Sequence, residues 1–221
     1  MNLLAIDTST ELATVALVIG NDIYSDEKGS LRQHAQSLLP MIEALLAKAA
    51  VSLRQLDGIV FGRGPGSFTG LRIACSVAKA LAYAHDLPLF PVSSLLAIAD
   101  EVYHTEINLP PDTTVLAMLD ARMQEVYWAN VSKKGLLSSE QVSSASEVIL
   151  LSDNPLIIAG VGIDNYLTQF PPDVHLKLVK QRIVFPHARA MIRLVRSGLI
   201  APVTAADALP VYVRELQLSK K

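Results

Sequence analysis

Three short extended runs open the chain. "NLLAIDTS" is apolar up to Asp7, "ELATVALVIG" alternates and is rich in Val, Ile and Thr, and "NDIYSDEKG" closes a third piece. Alternation with β-branched residues predicts strands, here a meander of three. In "RQHAQSLLPMIEALLAKAA" the period changes, and Leu38, Ile42, Leu45 and Ala49 recur at helical spacing. Pro40 either opens that helix or kinks it. "LDGIVFG" predicts a buried strand and "GLRIACSVAKALAYAH" a helix starting near Gly70. The order is βββαβα, and "LPLFPVSSLLAIADEV" adds a strand and a short helix.

Residues 104–113, "HTEINLPPDT", have two prolines and no periodicity, so they mark a boundary between lobes 1–105 and 106–221. The pattern then restarts. "TVLAMLDAR", "QEVYWANVS" and "GLLSSEQVSS" predict three strands, "PLIIAG" a fourth, and "GIDNYLTQF" and "FPHARAMIRLVRSG" helices, the last free to return to the first lobe. Each half carries an apolar strand ending in Asp, at Asp7 and Asp120. A duplicated βββαβα lobe is the architecture of actin-like ATPases and sugar kinases (the ASKHA fold), so the predicted class is α/β with two lobes.

Composition narrows the function classes. With 51% hydrophobic and 18% charged residues over 221 positions, little charge covers the surface, and apolar area is left for a partner. The net charge of −2 rules out the global basic field of a stand-alone nucleic-acid binder. Cys75, the single cysteine, sits in "LRIACSVAKA" and reads as a buried structural thiol. "MNLLAIDTST" has no basic n-region, and no apolar stretch reaches bilayer length, so the cytosol is the expected location.

"GRGPGSFTG" raises the question of phosphate binding. It lacks the Lys of a GxxxxGK[ST] loop, and its Ser67 is not at the spacing of a nucleophile elbow. Gly64 and Gly66 permit positive φ, Pro65 stiffens the turn, and Ser67 or Thr69 can cap the helix that follows. A rigid turn and a ligand clamp both remain open.

The strings "LLAIDTS", "GPGSFTGLR", "DARMQEVYWA", "PVSSL" and "PVYVRE" together resemble the bacterial TsaB (YeaZ) family over almost the whole chain. The resemblance implies a non-catalytic subunit of tRNA threonylcarbamoyladenosine synthesis. Such a subunit forms a heterodimer with its catalytic paralogue TsaD, works with the ATPase TsaE, meets tRNA through the complex, and is a homodimer when alone. The hairpins "DTSTE" and "DARMQE" agree, because they have no glycine where an active relative brings its backbone to phosphate. The catalytic relatives hold a metal through HxxxH, whereas "HAQSL" offers only His34, with Leu38 in the second place. No cofactor, metal or catalytic residue is therefore expected. The alternative is an enzyme of the same fold, an ATP-dependent small-molecule kinase or a glycopeptidase-type metalloprotease.

The candidate sites follow from these readings. A partner interface is expected on His34, Leu38, Ile42, Ile73, Val77, Ala80 and Ala84. The loop Gly64, Pro65, Gly66, Ser67, Phe68, Thr69, Gly70 and Arg72 is structural or faces the partner. Asp7, Thr8, Ser9 and Asp120 mark a vestigial nucleotide pocket, although Asp7 reads equally as a cap for the residues after it. From Lys177 to Arg196 there are six Lys/Arg and no Asp/Glu, with Arg189, Arg193 and Arg196 at helical spacing. That stripe is either a solvated face or a tRNA contact.

Overall fold

The computed structural model describes residues 1–29 and 34–214. Its first sheet has the order β3-β2-β1-β4-β5, formed by β1 (Leu3–Asp7), β2 (Leu12–Ile19), β3 (Asp22–Gly29), β4 (Gly58–Gly64) and β5 (Leu89–Ser93). β1, β2 and β3 run antiparallel as a meander, while β4 and β5 join parallel to β1. α1 (His34–Ala49) and α2 (Phe68–His85) make the crossovers on either side of β4, and α3 (Ser94–Thr105) follows β5.

The second sheet repeats this plan. β6 (Thr114–Arg122) pairs antiparallel with β7 (Glu125–Ser132), which pairs with β8 (Gly135–Leu136) and β9 (Gln141–Ser144). β10 (Leu156–Val161) and β11 (Leu178–Ile183) then add parallel to β6. The main order β11-β10-β6-β7-β8 is the first sheet's order over again, so the chain has the two-lobed actin-like, sugar-kinase-like fold.

The repeat is incomplete in its helices. Where α1 stands in the first lobe, the second has one 3-10 turn at Ala145–Glu147, and "GIDNYLTQF" forms 3-10 turns instead of the predicted helix. α4 (Pro172–Lys177) and the charged edge strand β11 complete that crossover, and neither was legible in the periodicity. α1 runs through Pro40, which therefore does not open it.

The core explains the layering. Leu4 and Ile6 of β1 face α1 and α2, whereas Leu3 and Ala5 face the other way. There they join Val115, Ala117 and Leu119 of β6 around α3 and α5 (Ala188–Arg196). α5 packs on β1, β2 and β4 of the first sheet, and α3 packs mainly on β6, β7 and β10 of the second. Each half thus lends a helix to the layer between the sheets, and one apolar core runs through both lobes.

The basic stripe of α5 is spent inside the chain. Arg189 reaches Glu101 at 2.6 Å, Arg193 reaches Asp100 and Glu101 at 2.7 Å each, and Arg196 donates to the carbonyls of Met1 and Gly20. Lys177 pairs with Asp153, and Lys180 and Arg182 pair with Glu106. Of the three arginines expected to touch tRNA, Arg189 and Arg193 are thus paired with acids of α3, and Arg196 is held by backbone carbonyls.

Candidate functional site: an interlobe cleft and an apolar helix face

β1 ends where the Gly loop begins to press on it. Thr8 Oγ1 donates to the carbonyl of Gly70 at 2.6 Å, and the Ser67 amide donates to the carbonyl of Ser9 at 2.7 Å. A Cβ at Gly70 would lie 1.8 Å from the Thr8 carbonyl oxygen, and one at Gly62 would lie 1.8 Å from Asp7 Oδ2. Glycine is required at both places for close approach of two chain segments. The loop here is a clamp on the neighbouring turn. Gly64 and Gly66 take φ of 111° and 157°, and Ser67 caps α2, which starts at Phe68, two residues before the expected Gly70.

The two aspartates of the repeat do the same local job. Asp7 Oδ1 accepts from the Ser9 amide at 3.0 Å and its hydroxyl at 2.8 Å, and Asp120 Oδ1 accepts from the Arg122 amide at 2.8 Å and the Tyr166 hydroxyl at 2.8 Å. These are Asx turns, in which the carboxylate organises the backbone two residues on. Asp7 is fully buried, and its Oδ2 has no hydrogen-bond partner. Burial pushes its carboxyl up to about 7, against the weaker pull of the Ser9 hydrogen bonds.

A cleft of about 630 Å³ separates the lobes. Ser9, Thr10, Ser67, Phe68 and Thr69 form one wall, and Leu119, Asp120, Arg122, Tyr127 and Gly162 the other. Of the four residues expected in a nucleotide pocket, Ser9 and Asp120 reach this cleft. Asp7 and Thr8 do not, because the Gly loop covers them. The second hairpin turns without glycine: Arg122, Met123 and Gln124 all have φ near +60°, at 63°, 54° and 62°. Left-handed backbone costs roughly 1 kcal/mol or more per non-glycine residue, and of the three side chains Arg122 lines the cleft. Arg122 leans on Asp120 at 3.5 Å there.

Sequence reading missed the C-terminal strap that closes one side. Tyr212 packs on Phe68 with ring centroids 5.2 Å apart, Arg72 lies 3.8 Å over Phe68 and donates to the Tyr212 hydroxyl, and Arg214 lines the cleft. The string "PVYVRE" was the available signal, but it has no periodicity to place it.

His34 is buried with Nε2 3.1 Å from the carbonyl of Glu11, and Leu38 and Ile42 are buried in the first-lobe core. These three leave the expected partner face, since α1 needs them to cover β2 and β3. Among the described residues, no group of three His, Cys, Asp or Glu stands close enough to hold a metal. No helix among them is long and apolar enough to cross a membrane.

The other half of the expected face stays open. α2 spends Leu71, Ala74, Ala78 and Ala82 on the core, and Arg72, Cys75 and Lys79 meet the strap. Ile73 and Val77 are only half-buried, Ala80 and Ala84 are exposed, and Tyr83 is 84% exposed. Leu39 of the neighbouring α1, 48% exposed, belongs to the same pair of helices.

Residues 18–186 match the family described as "TsaD: tRNA N6-adenosine threonylcarbamoyltransferase". The whole chain is 35% identical to the tRNA threonylcarbamoyladenosine biosynthesis protein TsaB of Haemophilus influenzae, covering 97% of it. The chain belongs to the TsaB (YeaZ) family. The TsaB of Escherichia coli is 31% identical over 100% of this chain and 98% of its own length. Among solved structures, YeaZ from Pseudomonas aeruginosa superposes with a TM-score of 0.84 at 37% identity, covering 96% of this chain and 99% of that one. A second P. aeruginosa structure, described as that of a protein with similarity to peptidase YEAZ, gives 0.87 at 36% identity with the same coverage. Membership of the TsaB family therefore extends over both lobes, including the cleft and α2.

Proposed function

We propose that this chain is the non-catalytic scaffold of a tRNA threonylcarbamoylation assembly. It takes part in making threonylcarbamoyladenosine, the activity named in its TsaB relatives, by docking onto the catalytic TsaD subunit and working with the ATPase TsaE. TsaD carries the transfer to the adenosine next to the anticodon in tRNAs reading codons that begin with A. This chain meets tRNA only through the complex.

The observation that carries the reading is the apolar outer face of α2. Tyr83 at 84% exposed, beside the exposed Ala80 and Ala84 and the half-buried Ile73 and Val77, is costly to leave in water. Small residues at 80 and 84 let a partner helix come within the ~8 Å of close helix packing, so two helix pairs form a four-helix bundle. Without TsaD, the same face serves a second copy.

The non-catalytic role is supported by the two hairpins. Asp7 is sealed behind the Gly loop and Asp120 is engaged by Arg122 and Tyr166, so neither carboxylate is free to hold phosphate or metal in the cleft. No observation favours the kinase or glycopeptidase reading. Reconstitution tests the proposal: TsaD, TsaE and the activated threonylcarbamoyl donor are incubated with tRNA, with and without this chain, and modified adenosine is quantified. Modification is expected only when the chain is present. Equal modification in its absence would overturn the scaffold role.

A further inference from the structure

The two lobes face each other across the cleft, and they are tied together on both sides of it. At the rear, α3 sits mainly on the second sheet and α5 on the first, and they are cross-linked through Glu101, whose side chain is 6% exposed. Arg189 and Arg193 both reach it, and Arg193 also holds Asp100. Burial raises the Glu101 carboxyl and the two arginines outweigh this, leaving it below the ordinary range. The apolar core around these helices draws on both sheets, so a hinge movement would shear packed side chains.

Two further ion pairs link the lobes. Arg63, at the end of β4, meets Glu140 of the β8–β9 connection at 3.0 Å, with side chains 22% and 7% exposed. The second is carried by the strap. Residues 203–214 are fastened to the first lobe by reciprocal backbone bonds between Val203 and Leu89, by Lys79 to the carbonyl of Ala208, and by the Val211 amide to the carbonyl of Arg63. The strap then reaches across, and Arg214 binds Glu125 and contacts Met123 Sδ, both on the strained β6–β7 hairpin of the second lobe. Arg63 is thus a double anchor, through its carbonyl to the strap and through its guanidinium to the second lobe.

We propose that the Arg63–Glu140 pair and the Arg214 strap form a clasp that, with the Glu101 fork at the rear, holds the interlobe cleft at one fixed opening. The scaffold is a rigid body. This goes beyond the docking role and does not depend on it, because the clasp lies within a single chain. A fixed cleft also presents α2 in one orientation, since the strap is stapled to Phe68 and Arg72 at that helix's start. Opening would require breaking an ion pair whose Glu140 is almost wholly buried, and such a pair is poorly replaced by water.

The test is a distance measurement on the full chain. Spin labels are placed at Thr69→Cys on the first wall and at Asp164→Cys, an exposed position two residues beyond Gly162 of the second wall, while Cys75, 4% exposed, stays unlabelled. Labelled protein is diluted into excess unlabelled protein so that only distances within one chain are read by pulsed EPR. The parent should give one narrow distance, and Arg63→Ala with Arg214→Ala should widen the distribution and shift its mean. If that variant fails to fold, Glu140→Gln with Arg214→Ala removes the charge pairing while leaving Arg63 an acceptor, and the same widening is expected. A parent that already samples two distances, or a folded clasp variant as narrow as the parent, would overturn the proposal.

Discussion

Thr8 and Gly70 are held face to face: the hydroxyl of one donates to the carbonyl of the other at 2.6 Å, and a methyl group on Gly70 would lie 1.8 Å from the Thr8 carbonyl oxygen. The carbonyl is backbone and the methyl is fixed to the α-carbon, so neither can swing aside. Gly70→Ala should therefore destabilise the protein by about 3 kcal/mol or more, as overpacking of a closed contact does. Urea unfolding measures it, and a variant within about 0.5 kcal/mol of the parent would contradict the clamp.

What the sequence disclosed about this region, and what it hid, have separate physical causes. Periodicity located β1 to β4, α2 and the repeat of the Asp hairpins, because those signals lie within one element. The strap from Val203 to Arg214 has no period, since backbone bonds to Leu89 and Arg63 hold it in place. β11 escaped for a similar reason. Its Lys180 and Arg182 face Glu106, so an edge strand carries charge where a strand pattern asks for apolar residues. On α2, spacing gave the two apolar faces, but only the structure showed that Arg72, Cys75 and Lys79 meet the strap and leave Ile73, Val77, Ala80 and Ala84 outside. Spacing on α1 placed Leu38 and Ile42 on a stripe without saying which stripe the sheet would take.

Asp7 should give the fold an inverted pH dependence. Its carboxyl titrates at about 7 in the folded chain and near the ordinary 3.8 when unfolded. Between those values the folded state binds the extra proton, so this contribution to stability falls as pH rises and levels off above 7, with a total change of up to about 4 kcal/mol. Asp7→Asn imitates the protonated acid and keeps the acceptor for Ser9. The parent's unfolding free energy relative to that variant should drop between pH 5 and pH 8, and a constant difference would rule the effect out.

Arg193 should matter for stability and not for RNA. Arg193→Ala leaves Glu101, 6% exposed, with one partner and Asp100 with none, which should cost about 3 kcal/mol. Unfolding experiments are paired with tRNA binding to the assembled complex at two salt concentrations. The salt slope should match the parent's. A slope shallower by ~1 unit would return Arg193 to the role of a phosphate contact.

The most direct test of the scaffold account places a charge on the open face of α2. Ala80 is exposed in the single chain, so Ala80→Glu should melt with the parent, while association with TsaD buries an unpaired carboxylate and weakens roughly a hundredfold or more. Thermal melting and TsaD binding are measured on the same preparation. The account predicts a folded variant that no longer holds TsaD, and a folded variant that binds TsaD with the parent's affinity would contradict it.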